Sequence, residues 1–104
     1  MARSRREQIE EMLAGDPSDP FLWYGLAMEH TSGGDAEAAL RTFAELRRRF
    51  PDYVAGYMQA GQLLAKLGRD DEAREAWREG VAVARRVGDQ HAAGEMEGFL
   101  ASLG

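Results

Sequence analysis

Residues 23–51 read WYGLAMEHTSGGDAEAALRTFAELRRRFP, and 34 positions later residues 57–85 read YMQAGQLLAKLGRDDEAREAWREGVAVAR. Laid over one another, Trp23 meets Tyr57, Ala27 meets Gly61 and Gly34 meets Gly68. Ala39 then meets Ala73, and Phe43 meets Trp77. Self-similarity at a fixed period of this size marks a stack of supersecondary units, none of which can bury its apolar face alone. Each copy carries apolar residues at helical spacing on both sides of a glycine, so each reads as two helices joined by a turn.

Working outward, Ser4 and Glu7 have the spacing of a capping box. Ile9, Met12 and Leu13 follow at helical spacing, which predicts a short amphipathic helix over 4–14. Asp19 suits an N-cap and Pro20 a first helical position, opening a helix over 20–31. That helix has two apolar faces, one with Trp23, Leu26, Ala27 and His30, the other with Phe21, Tyr24 and Met28. Asp35 caps the next, over 35–49, with Ala39, Leu40, Phe43, Leu46 and Phe50 on its stripe; Pro51 ends it. Asp52 is expected to cap the helix over 53–67. Tyr57, Ala60, Gly61 and Leu64 line one of its faces; Ala55, Met58 and Gln62 line the other. A helix from Asp70 or Asp71 to Val87 turns Ala73, Trp77, Val81 and Ala84 inward. After Gly88, Asp89 caps a last helix carrying Ala92, Met96, Phe99, Leu100 and Leu103, which Gly94 and Gly98 weaken. No segment alternates as a strand does, so the class is all-α with about six helices.

These residues resemble the tetratricopeptide repeat family. Trp23, Leu26, Ala27, Gly34, Ala39, Phe43 and Pro51 stand where that family places its signature residues; Tyr57, Gly61, Gly68, Ala73 and Trp77 repeat the match. His30 and Leu46 depart from the pattern in the first copy; Ala60, Leu64 and Arg85 depart in the second. Pro17 stands 34 before Pro51, so the first helix reads as half of an earlier repeat. The resemblance implies a short right-handed α-solenoid filling one domain, 1–104. A half-repeat spans 4–17, repeats span 20–53 and 54–87, and a C-terminal capping helix lies in 88–104.

The family's first helices line a concave groove for a peptide or partner helix. By resemblance that role falls on Phe21, Tyr24, Met28, Ala55, Met58 and Gln62, with Met96 and Phe99 added from the last helix. Aromatics and methionines suit such a groove, since methionine adapts to varied shapes. Some family members hold a C-terminal carboxylate with basic groove residues; here those positions are Tyr24, Met28, Gln59 and Gln62, so no such capture is expected.

Net charge is −5, which argues against a nucleic-acid partner. Arg47-Arg48-Arg49 and Arg85-Arg86 each close a helix, where the dipole favours cations. Cysteine is absent, so disulfides and thiolate metal sites are excluded. His30 sits at a packing position, His91 in a first turn beside Glu95, and Asp70-Asp71-Glu72 at a helix start. No phosphate loop, metal cluster or nucleophile–base pairing stands out. The expectation is therefore a non-enzymatic, protein-binding scaffold with no catalytic residue, metal or cofactor. No apolar run can span a bilayer and no signal core follows the basic start, so no membrane partner and a cytoplasmic location are expected. Small stand-alone proteins of this repeat type are common in bacteria. The alternative is a homo-oligomer assembled head to tail through the terminal half-repeats. The polar ends, with Gln8, Glu10, Glu11, Gln90, Glu95 and Glu97, favour a monomer.

Overall fold

Four of the six helices in residues 2–103 start at a side chain that accepts a free backbone amide. In the computed structural model, which describes residues 2–103, α1 spans Arg5–Gly15, α2 Pro20–Ser32 and α3 Ala36–Arg49. Then come α4 (Val54–Lys66), α5 (Asp70–Val87) and α6 (Gln90–Leu103). Met1 and Gly104, the ends of the expected domain, lie outside the described residues. No strand occurs among those described.

The capping box forms: the Ser4 hydroxyl accepts from the Glu7 amide at 3.1 Å, and the Ser4 amide donates to Glu7 Oε1 at 3.2 Å. The Ser4 amide and then its hydroxyl hold the Glu7 carboxyl below its ordinary range. Asp19 accepts from the Phe21 amide at 2.9 Å, Asp35 from the Ala38 amide at 3.1 Å, and Asp89 from the Ala92 amide at 3.0 Å. Each carboxylate takes one of the amides that a helix start leaves unpaired. Asp52 departs from expectation. The N-cap of α4 is Tyr53, whose side chain makes no capping bond. Standing one residue early, the Asp52 carboxylate pairs instead with Arg86. At the turns inside the two repeats, Gly34 and Gly68 have φ of 80° and 77°. A side chain is strained there, which is why both copies spell glycine.

The chain divides into two compact units, Met1–Phe50 and Pro51–Gly104. In the first, α2 packs on α1 and on α3. Ile9, Leu13 and Leu26 form a buried cluster, with Leu22 and Trp23 against it. Ala27, Ala39, Phe43 and Leu46 are buried as their stripe predicts. Met12 is not; it is 51% exposed. Ile9 and Leu13, four apart, take the narrow buried edge of α1 and leave Met12 beside it. Thr42 is buried without being expected; its hydroxyl donates to the Ala38 carbonyl at 2.8 Å, which satisfies it.

In the second unit, α5 packs on α4 and on α6. Tyr57, Ala60, Leu63, Leu64, Ala73, Trp77, Val81 and Ala84 are buried. The missing proline at Arg85 lets α5 run on through Val87. Its last turn then reaches out to Asp52 and, through Arg85, to Glu97 of α6 at 2.6 Å.

One contact is repeated at the 34-residue interval. Trp23 Nε1 donates to the Pro17 carbonyl at 2.9 Å, and the Tyr57 hydroxyl donates to the Pro51 carbonyl at 2.8 Å. The aromatic of each first helix thus pins the turn that precedes it.

Candidate partner-binding surface

Phe21, Tyr24 and Met28 are spaced i, i+3, i+7 and share one face of α2. Pro20 and the Asp19 cap fix the start of the helix, which puts Phe21 in its first turn. Phe21 is 63% exposed; Tyr24 and Met28 are half-buried. The sequence reading missed what Phe21 faces. With Leu22 of α2 and Arg5, Gln8, Ile9 and Met12 of α1, it lines a cleft of about 140 Å³. Spacing gives no signal for that cleft, because it places Met12 on the apolar stripe of α1 and the cleft forms only where two helices meet.

On α4, Ala55 and Met58 are half-buried and Gln62 is exposed. Behind Met58 the packing is close. Trp77 Nε1 donates to the Met58 carbonyl at 3.2 Å, and a Cβ at Gly61 would lie 2.2 Å from that same nitrogen. The indole therefore occupies the space that a side chain at 61 would need. Its other side meets Phe99, with ring centroids 5.2 Å apart and planes inclined by 37°. The structure thus brings Met58, Trp77 and Phe99 together, with Phe99 half-buried.

Met96 is a correction. It has no exposed surface, so it is core and not groove. A Cβ at Gly80 would lie 2.5 Å from the Met96 sulfur and 2.8 Å from Tyr57 Cβ. The bare backbone of Gly80 makes a notch, and the flexible thioether fills it.

The charged groups have structural tasks. Glu45 accepts from Arg48 Nε at 3.0 Å and from Arg49 Nε at 2.7 Å. The bonds from Arg48, then Arg49, hold the Glu45 carboxyl down to about 2. Arg49 also lies over the Trp23 ring, 4.8 Å from its centroid. Arg48 and Arg49, at the end of α3, are therefore engaged within their own unit. His91 pairs with Glu95 at 3.0 Å on the surface of α6, while His30 is half-buried on α2. Among the described residues no three His, Asp or Glu side chains gather as metal ligands would, and no helix is long and apolar enough to cross a membrane.

A family model described as the PAB middle domain matches residues 20–85, which take in the two 34-residue copies except for the last two positions of the second. The TPR repeat-containing protein PA0015 of Pseudomonas aeruginosa is 35% identical over 97 residues, 93% of this chain and 92% of that protein. The chain belongs to the tetratricopeptide repeat proteins and, over residues 20–85, to the PAB middle domain family. The solution structure of a tetratricopeptide repeat domain protein from Salinibacter ruber is 39% identical, with a TM-score of 0.80 over 85% of this chain and 89% of that one. PcrH, solved in complex with the chaperone binding region of PopD, has a TM-score of 0.85 over 94% of this chain and 74% of that one. At 18% identity that likeness is one of fold alone.

The tetratricopeptide register also places α6. His91, Gly94, Glu95 and Gly98 stand 34 positions after Tyr57, Ala60, Gly61 and Leu64. All four are exposed. The face on which a further helix would pack is polar or bare here.

Proposed function

We propose that the protein is a non-enzymatic, cytoplasmic scaffold that binds a peptide or partner helix through apolar side chains on the first helices of its repeats. The repeats are taken as 20–53 and 54–87, between the half-repeat 4–17 and the capping helix in 88–104. The contributing residues are Phe21, Tyr24 and Met28 on α2 and Ala55, Met58 and Gln62 on α4, with Phe99 at the edge of the second set. The observation that carries the reading is Phe21, a large aromatic left 63% exposed in line with Tyr24 and Met28. Its setting is a family whose fold presents such helices. In PcrH the same fold is found with the chaperone binding region of PopD. Large apolar side chains kept at a surface commonly mark a binding site.

Tyr24→Glu and Met58→Glu, made together, test it. Affinity capture followed by mass spectrometry should lose the partners recovered with the parent protein, while circular dichroism stays the same. Equal recovery by both proteins overturns the reading. Head-to-tail assembly is not adopted, because the α6 face it would use carries His91, Gly94, Glu95 and Gly98. A constant monomer mass in sedimentation across concentration is expected.

A further inference from the structure

We propose that the cleft between α1 and α2 binds a polypeptide segment in which a bulky apolar side chain is flanked by a carboxylate. The proposal rests on the reading that this is a polypeptide-binding protein; it shares Phe21 with the α2 face but uses the α1 side of that ring, away from Tyr24 and Met28. Four large apolar side chains are strongly exposed among the described residues: Met12, Phe21, Leu67 and Val87. Two of them, Met12 and Phe21, line this one cleft. Its lining includes Ile9, which is buried at 4% and belongs to the cluster with Leu13 and Leu26. A rigid core thus backs an apolar opening about one side chain wide, which is the arrangement that anchors an apolar residue of a partner.

The charge at the rim selects the neighbour of that residue. Three arginines stand at the start of the chain. Arg3 pairs closely with Glu11, and Arg6 with Glu10 at 3.1 Å. Arg5 is the one that lines the cleft. Its Nε lies 3.7 Å from Glu29, too far for a hydrogen bond, and its side chain is 72% exposed. A guanidinium presents five donors in a plane and matches a carboxylate in two bonds. A partner carboxylate beside the seated apolar group completes what Glu29 leaves unfilled. Gln8, also on the lining, bonds the Arg3 carbonyl at 3.4 Å and adds no charge.

The test is an NMR amide-shift titration of the full chain with a capped Gly-Leu-Leu-Glu-Asp-Gly peptide. Controls replace its acids by Gln and Asn, or by Lys. Shifts confined to α1 and to Phe21 and Leu22, with the acidic peptide preferred, are expected. Arg5→Glu should weaken the acidic peptide by at least about fivefold and favour the lysine peptide. Glu29→Gln removes the competing carboxylate and should tighten binding by about two- to fivefold, an effect that a merely structural role for Arg5 would not give. Phe21→Ser should weaken all three peptides alike. Loss of charge preference, or no response to Glu29→Gln, overturns the proposal. Shifts on the Tyr24–Met28 face instead overturn it while leaving the proposed function standing. A chain that dimerises through the cleft and excludes the peptide also overturns it.

Discussion

The two units build the same helical pair by different means. In the first, side chains close the helix starts: Ser4, Asp19 and Asp35 each accept a free amide. In the second, α4 and α5 start at Tyr53 and Arg69 with no capping side chain, and only α6 is capped, by Asp89. There the helices approach closely over glycine, with Trp77 on Gly61 and Met96 on Gly80. The register pairs make the same point. Where the first unit has Ala27 and Phe43, the second has Gly61 and Trp77, and all but the glycine are at most 4% exposed. A larger aromatic is accommodated by a smaller neighbour, so that volume is conserved while chemistry changes. One repeat leans on its ends and the other on its middle.

The sharpest way to break that contrast is Gly61→Ala. The added methyl would sit 2.2 Å from Trp77 Nε1 and 2.5 Å from Cδ1 of a rigid ring, and the bond to the Met58 carbonyl would be lost with any displacement. We expect a loss of about 3 kcal/mol, at the upper end for overpacked cores, measured by urea unfolding. Adding Trp77→Phe copies the Ala–Phe pair of the first unit and should recover most of the loss. A double-mutant cycle with no recovery would mean that Gly61 serves something other than the indole. Gly80→Ala should cost less, about 1–2 kcal/mol. Tyr57 Cβ at 2.8 Å cannot yield, but the end of Met96 can, and alanine favours the helix.

Gly94 and Gly98 give the opposite sign. Both lie inside α6, and a Cβ at either meets nothing within 4 Å. Replacing both by alanine should stabilise the protein by about 1–2 kcal/mol in total, because only helix propensity changes. Thermal unfolding monitored by circular dichroism checks it; a neutral or destabilising result would show that α6 needs its bare backbone.

For the first unit the corresponding test is Asp35→Ala. Losing the bond to the Ala38 amide should cost about 1 kcal/mol, again by urea unfolding. The same change at Asp52, whose position in the sequence suggests a cap, should leave the start of α4 intact because its carboxylate pairs with Arg86. Amide exchange over Val54–Tyr57 distinguishes the two roles.

These residues also mark what the sequence could carry. The repeat, the helix type, the turn glycines and the inward stripes were legible because each follows from spacing along a single segment. Asp19, Asp35 and Asp89 were legible as caps for the same reason. What escaped depends on a neighbour that spacing does not name. The resemblance puts Met96 on a binding face, but whether it is buried is decided by Gly80 on another helix. Spacing puts Met12 on the stripe of α1, yet the buried edge there is only wide enough for Ile9 and Leu13. Asp52 failed by one residue, within the ordinary slack of a helix boundary, and Arg86 lies 34 positions away. Of the candidate surface, the α2 and α4 faces were legible as second apolar stripes. The α1–α2 cleft was not, since it needs two helices in place.

The smallest expected effect concerns the end of α3, where charge takes over from caps. Glu45 is held at about 2, against an ordinary value of 4.5, by the bonds from Arg48 and then Arg49. A carboxyl depressed in the folded chain contributes its stability fully above the ordinary value. That contribution is lost as pH falls through the window from 4.5 towards 2. Glu45→Gln should therefore leave a protein whose stability falls less steeply across that window than the parent's, with the two curves furthest apart above pH 5. Because the pair is open to solvent, the gap should be small and should shrink in about 1 M salt. Glu7, Asp16 and Glu72 are also depressed, by Ser4, Ser18 and Arg69 in turn, and they remain in both proteins. The difference between the curves thus isolates the fork on Glu45. If it persists undiminished in high salt, the fork is acting through the Arg49 contact on Trp23, and the first unit has a packed anchor at its far end after all.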